Sequence, residues 1–160
     1  LQPQRLVGRL GRATPGVPAT TRSDPAGISS DEDVHSWRGS GLILVVDDEP
    51  AVARVTEMVL DQCGFSVNVA TSGVEALRHM ERFRDQLRLV LIDLTMPDQS
   101  GIEVMQAARR LGLAVPMVLT SGYPNDEADK RFEGDGFSGY LQKPYRLEVL
   151  MTVLRRALGE

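Results

Sequence analysis

Short apolar runs, each ending on a polar residue, punctuate the chain from residue 42 onward. Leu42-Ile43-Leu44-Val45-Val46 stops on Asp47-Asp48, and Leu89-Val90-Leu91-Ile92 stops on Asp93. Val115-Pro116-Met117-Val118-Leu119 ends on Thr120, and the brief Tyr140-Leu141 leads into Lys143-Pro144. Runs of this length bounded by turn signals predict buried strands. Phe65 to Ala70 alternates instead, as a strand with one face half open does. Between these runs the period lengthens to that of a helix. Val52, Val55, Val59 and Leu60 follow Pro50, which suits a first turn, and Gly64 stands where a C-terminal cap belongs. Ser72-Gly-Val-Glu75 and Ser100-Gly-Ile-Glu103 have the capping-box form. The first opens an apolar stripe of Ala76, Leu77, Met80 and Phe83; the second leads a helix to about Leu111. Asn125 to Phe132 reads as a short polar helix, and Leu147, Leu150, Met151, Leu154 and Leu158 mark one face of a last helix.

Strands alternating with helices in this way predict an α/β domain over residues 40–160: a doubly wound parallel sheet of five strands with five helices. Its crossovers are right-handed. Ligands of such sheets bind beyond the C-terminal ends of the strands. Residues 1–39 have another texture, rich in Gly, Pro, Ser, Thr and Arg and without sustained periodicity. Too little apolar surface is there to offset the entropy of ordering, so a disordered linker or the tail of a preceding domain is expected. Trp37, at its end, is expected to pack loosely on the domain edge, with no catalytic role for it or for His35. Because the chain begins at Leu1 and not at Met, it is expected to be a piece of a longer protein.

Charge refines this division. The first 40 residues carry five arginines and four acids, while the remainder carries 13 bases and 18 acids. The net charge of −4 gives no bulk electrostatic reason for nucleic-acid binding. The single cysteine, Cys63, excludes an internal disulfide and fits a reducing cytosol. It is expected in the core at a helix end. No apolar run approaches the ~18 residues of a membrane span. Sixteen of the basic residues are Arg and only two are Lys, Lys130 and Lys143, which singles out Lys143 at a strand end.

The strand ends then become the candidate site. They offer Asp47, Asp48 and Glu49, then Asp93, then Thr120 and Ser121, and last Lys143. Carboxylates gathered in one crevice raise one another's pKa, and a divalent cation relieves them. An all-oxygen donor set with room for waters suits Mg²⁺. Asp48 and Asp93 are the natural direct ligands, the Thr95 backbone carbonyl a possible third, and Asp47 a holder of metal-bound water. With a Lys and a hydroxyl alongside, the set forms a receptor for a phosphoryl group. Asp93 is the candidate nucleophile, Thr120 a donor to a phosphoryl oxygen and Lys143 a mobile countercharge. Asp47 and Asp48 also admit a plainer reading as helix caps, and Tyr140 as a partly buried structural aromatic. His79 reads as an edge residue, and neither histidine sits in a kinase-type motif.

Four segments, Val45-Val46-Asp47-Asp48-Glu49-Pro50, Ile92-Asp93-Leu94-Thr95-Met96-Pro97 with Gly101, Leu119-Thr120-Ser121-Gly122-Tyr123 and Tyr140-Leu141-Gln142-Lys143-Pro144-Tyr145, together resemble the receiver domain of two-component response regulators. The resemblance covers about Gly41 to Gly159. It implies a flavodoxin-like strand order 2-1-3-4-5 and an Mg²⁺-dependent transfer of phosphate to Asp93 from a phosphohistidine on a histidine kinase or phosphotransfer domain. It implies that Thr120 follows the phosphoryl group, that Tyr140 changes rotamer with it, and that Lys143-Pro144 is a cis peptide. The fourth helix, fifth strand and fifth helix would carry the signal to a downstream protein. Thr95 and Gly122 stand where the family varies and would tune dephosphorylation.

An aspartate-nucleophile phosphatase needs a second carboxylate two residues after the nucleophile, and Thr95 holds that place. A phosphorylation-silent interaction module would not need the whole acid, hydroxyl and Lys set. A receiver behind a linker resembles the C-terminal part of a hybrid sensor histidine kinase, and a response regulator lacking its output domain is the alternative. Either parent puts this fragment in the cytoplasm, the first with a possible membrane anchor elsewhere. No direct contact with nucleic acid or membrane is expected of the fragment itself.

Overall fold

The computed structural model of the chain describes residues 36–122 and 136–160. Five strands, β1 (Leu42–Val46), β2 (Ser66–Ala70), β3 (Leu87–Asp93), β4 (Met117–Ser121) and β5 (Gly139–Gln142), form one sheet in the order β2-β1-β3-β4-β5. Every pairing is parallel. Four helices are described: α1 (Pro50–Gln62), α2 (Gly73–Arg82), α3 (Gly101–Arg110) and α4 (Leu147–Leu158). The helix expected at Asn125–Phe132 and residues 1–35 of the linker expected over 1–39 fall outside the described residues, while Gly39 is described and its N–H donates to the Cys63 carbonyl at 2.8 Å. No described helix is long and apolar enough to cross a membrane.

Alternation along the strands sorts their side chains into two cores. Leu44, Val46, Val90, Ile92, Met117 and Leu119 pack with Ala76 and Met80 of α2 and with Val104, Met105 and Ala108 of α3. Ile43, Val45, Leu89, Leu91, Val118 and Leu141 pack with Ala53 and Leu60 of α1 and with Leu150, Met151 and Leu154 of α4. The sheet is thus covered on both faces, which is why its central strands are apolar without a break. Each large aliphatic side chain taken fully out of water contributes about 1.5–3 kcal/mol, so neither layer is dispensable.

Local chemistry sets the ends. After α1, the Gly64 N–H donates to the Asp61 carbonyl at 3.0 Å and the Phe65 N–H to the Leu60 carbonyl at 3.1 Å, with Gly64 at φ 103°. This is the Schellman arrangement expected of a glycine cap. Ser72 and Ser100 accept from the Glu75 and Glu103 N–H groups at 3.1 and 3.2 Å. Glu75 does not close the box on Ser72; its carboxylate accepts from the N–H and the hydroxyl of Thr71, each at 3.0 Å. Strand β3 begins at Leu87, earlier than the apolar run suggested, because Leu87 pairs with Leu42 across a shift in register. Strand β4 begins only at Met117, since a proline has no N–H for the ladder; the Pro116 carbonyl still accepts from the Val90 N–H at 2.9 Å. Trp37 is seated more firmly than expected. Its ring lies 5.7 Å from that of Phe65, with the Arg155 guanidinium 5.7 Å above it.

Candidate acidic metal centre

The same alternation that builds the cores aims the strand-end side chains. The residue after Val46 shares the face of Val45, and the residue after Ile92 shares the face of Leu91. Asp47 and Asp93 therefore emerge on the α1/α4 side, at the ends of neighbouring strands. Thr120 is the register partner of Asp93, and Lys143 continues the face of Leu141 just beyond β5. The chain is held there by its backbone. The Asp47 N–H donates to the Ala70 carbonyl at 3.1 Å, Leu94 to Thr120 at 2.8 Å and Lys143 to Ser121 at 2.7 Å. The Lys143–Pro144 peptide is cis, as the resemblance implied.

The side chains meet. Lys143 Nζ lies 2.8 Å from Asp47 Oδ2 and 3.4 Å from Asp93 Oδ2. Asp47, Asp48 and Asp93 each offer an oxygen within 4.8 Å of the others. Asp47, Asp93 and Thr120 are buried, while Asp48 is half-buried. Asp47 Oδ1 also accepts from the Glu49 N–H at 2.9 Å, which fastens the turn before α1; Glu49 itself is the N-cap and has no side-chain cap bond, so Asp47 holds the turn and does not cap the helix. The Thr120 hydroxyl rests on the Ile92 carbonyl at 3.5 Å, the outer limit of a hydrogen bond, so re-aiming it costs little. The Thr95 N–H points back to Asp93 Oδ1 at 3.4 Å. At Gly101 a Cβ would stand 2.6 Å from the Asp93 carbonyl oxygen, so the first turn of α3 can lie against the acid's own backbone only without a side chain.

Burial pushes the Asp93 carboxyl above the ordinary carboxylate range; Lys143 pulls it back, and Asp47 adds to the rise. Lys143 is shifted upward: burial alone would lower it, but its hydrogen bond to Asp47 and the charges of Asp93 and Asp47 outweigh that. Three carboxylates against one ammonium leave two negative charges in a desolvated crevice. That deficit, with an all-oxygen donor set, fits a hard divalent cation such as Mg²⁺.

Tyr140 stands apart from this group. It is the register partner of Leu119 and lies on the α2/α3 side, half-buried, its ring 6.1 Å from Phe137. Cys63 caps α1, half-buried, with its thiol donating to Met151 Sδ at 3.4 Å. His79 stacks on Phe83 at 5.9 Å, away from the site.

Two features had no sequence signal. Tyr145 and Thr56 share a hydrogen bond of 2.8 Å that ties the β5–α4 loop to α1, and beside it a cleft of about 500 Å³ opens between Val52 and Val55 on one side and Pro144 and Tyr145 on the other. Asp98 reaches back to the start of α2, where its Oδ2 accepts from the Gly73 N–H at 2.9 Å. Spacing along the chain reveals neither, because each joins residues distant in sequence.

The response regulator receiver domain family matches residues 43–155. The sensor kinase CckA of Brucella abortus is 30% identical over 141 residues, covering 86% of this chain and 15% of that protein. The uncharacterized transcriptional regulatory protein YkoG of Bacillus subtilis is 32% identical over 122 residues, covering 75% of this chain and 52% of that one. The chain thus spans about half of one relative and a small part of the other. Among solved structures, the response regulator protein TrrA of Thermotoga maritima, in complex with Mg²⁺-BeF, is 28% identical with a TM-score of 0.63, over 74% of this chain and 99% of that one. With its sheet order, its gathered strand ends and a family match spanning nearly the whole sheet, the chain belongs to the response regulator receiver domains, the phosphoacceptor modules of two-component systems.

Proposed function

We propose that Asp93 is the phosphoacceptor of this receiver and takes its phosphoryl group from a phosphohistidine on a histidine kinase or phosphotransfer domain. The observation that carries this is the Lys143 ammonium spanning Asp47 and Asp93, with Asp48 in the same acidic cluster. An Asp93 carboxylate oxygen attacks phosphorus as the P–N bond breaks, its electron pair returning to the imidazole nitrogen of the donor. Lys143 shifts toward the phosphoryl oxygens, and Thr120 turns its hydroxyl from the Ile92 carbonyl to one of them. Asp48, Asp93 and the Thr95 carbonyl would hold Mg²⁺, with Asp47 behind a bound water, and the ion would supply charge neutralisation there. The Mg²⁺-BeF complex of TrrA supports that ion for this chain.

The donor docks over the cleft beside Lys143, where Val55 is 61% exposed. Thr120 and Tyr140 pass the change to the face of β5 and α4, where Leu147 and Val149 stand exposed to a downstream protein. Similarity to CckA supports a hybrid sensor histidine kinase as the parent, working in the cytoplasm; similarity to YkoG supports the alternative, a response regulator. The domain content of the full-length protein decides between them. A histidine-kinase core there supports the first.

Incubation with acetyl phosphate and Mg²⁺, followed by intact mass measurement, tests the phosphoacceptor. One phosphoryl group that hydroxylamine removes is expected on the wild type and none on Asp93→Asn or in EDTA. Phosphorylation that persists in Asp93→Asn overturns the assignment.

A further inference from the structure

The loop between β3 and α3 carries Thr95 and has no secondary structure of its own to hold it. It is fastened by Asp98. Oδ1 and Oδ2 accept from the Gly73 N–H at 3.2 and 2.9 Å, and Oδ2 lies 3.4 Å from the Val74 nitrogen. These are N–H groups that the first turn of α2 cannot satisfy for itself, and a carboxylate there also meets the positive end of the helix. The docking is close as well as polar. A Cβ on Gly73 would stand 2.5 Å from Gln99 Oε1 and 2.9 Å from Val104 Cγ2. Gly73 thus lacks a side chain where the loop lies on it. At its other end the loop is tied by Gly101 N–H to the Leu94 carbonyl at 2.9 Å. Thr95 sits between these two anchors, its N–H directed at Asp93.

We propose that Asp98 is a positioning residue for the acid site: by clamping the β3–α3 loop to the start of α2, it keeps the Thr95 backbone beside Asp93. This rests on the reading of Asp93 and the Thr95 carbonyl as metal ligands. Ser72 caps the same helix with its own hydroxyl but makes no bond to the loop. Loss of the Ser72 cap weakens α2 alone; loss of Asp98 weakens α2 and frees the loop. Supporting groups behind metal ligands commonly change affinity by about 10–100-fold.

The test compares Mg²⁺ titrations, read by amide chemical shifts and calorimetry, of the wild type, Asp98→Ala, Asp98→Asn, Ser72→Ala and Asp93→Asn. Thermal melting is followed in parallel. Asp98→Ala should bind Mg²⁺ about tenfold more weakly, with the Thr95 amide shifted before any metal is added. Asp98→Asn keeps one acceptor oxygen and should fall between. Ser72→Ala should melt lower yet bind Mg²⁺ like the wild type. Equal affinities for Asp98→Ala and the wild type, or an equal loss in Ser72→Ala, overturn the proposal. A wild type that binds no Mg²⁺, or an Asp93→Asn that binds it unchanged, removes the metal reading first and this proposal with it.

Discussion

At the scale of single residues, the site is a set of charges that the fold brings closer than they would choose. Burial is the main cause that raises the Asp93 pKa in the folded chain. An unfolded Asp titrates near 3.9. A folded pKa raised above that value means the native state holds the proton longer. In metal-free buffer the Asp93 contribution is therefore favourable below about pH 4 and is lost as pH rises through the folded pKa. Lys143 behaves in the same sense at the alkaline end, its contribution being lost as pH rises through a folded pKa above about 10.4. Asp93→Asn should accordingly raise the urea midpoint in EDTA at pH 7 and flatten the loss of stability as pH rises above about 4. A lower midpoint would mean that the attraction to Lys143 outweighs burial. Most of these residues were legible in the sequence because strand ends show themselves: an apolar run stops on an acid, a hydroxyl or the odd lysine of an arginine-rich chain. Asp98 was not, since an Asp after Pro97 also reads as a local turn residue, and its partners lie 25 and 24 residues back.

Among the elements, the close approach of α3 to β3 decides how Asp93 is presented. Gly101 lets the first turn of α3 rest on the Asp93 carbonyl, and its N–H bonds to the Leu94 carbonyl. In Gly101→Ala the added methyl meets backbone at 2.6 Å and the Leu119 side chain at 2.9 Å. Backbone cannot turn aside as a side chain can, so α3 must shift. The expected cost is about 1–3 kcal/mol of unfolding free energy, with the m-value unchanged in urea. Ser100→Ala removes only the cap on the same helix and should cost about 1 kcal/mol without moving the Asp93 resonances. Element boundaries were less legible than element identities. The start of β3 depends on a register shift against β1 and the start of β4 on a proline at the ladder's edge. Both are properties of paired strands, which one strand's pattern does not carry.

Across the whole molecule, the acid site is a product of the winding. β1 and β3 are neighbours only because the chain crosses from β1 to the edge and back, and Lys143 arrives two strands away from Asp93 through β4. An ion bound by Asp48 and Asp93 therefore has no counterpart in the unfolded chain, where these residues lie 45 positions apart in sequence. Its binding energy is then folding energy. At a free Mg²⁺ concentration of 100 times its Kd, unfolding should become harder by about 2.7 kcal/mol. The gain should be absent in Asp48→Ala. Because β1 and β3 form the centre of one sheet, it should reach their slowest-exchanging amides together, slowing each about 100-fold in hydrogen–deuterium exchange. Protection confined to residues 47–50 would place the ion on the β1–α1 turn alone and separate Asp93 from the metal. Equal slowing of both strands, lost in Asp48→Ala, is the outcome that a centre shared across the sheet requires.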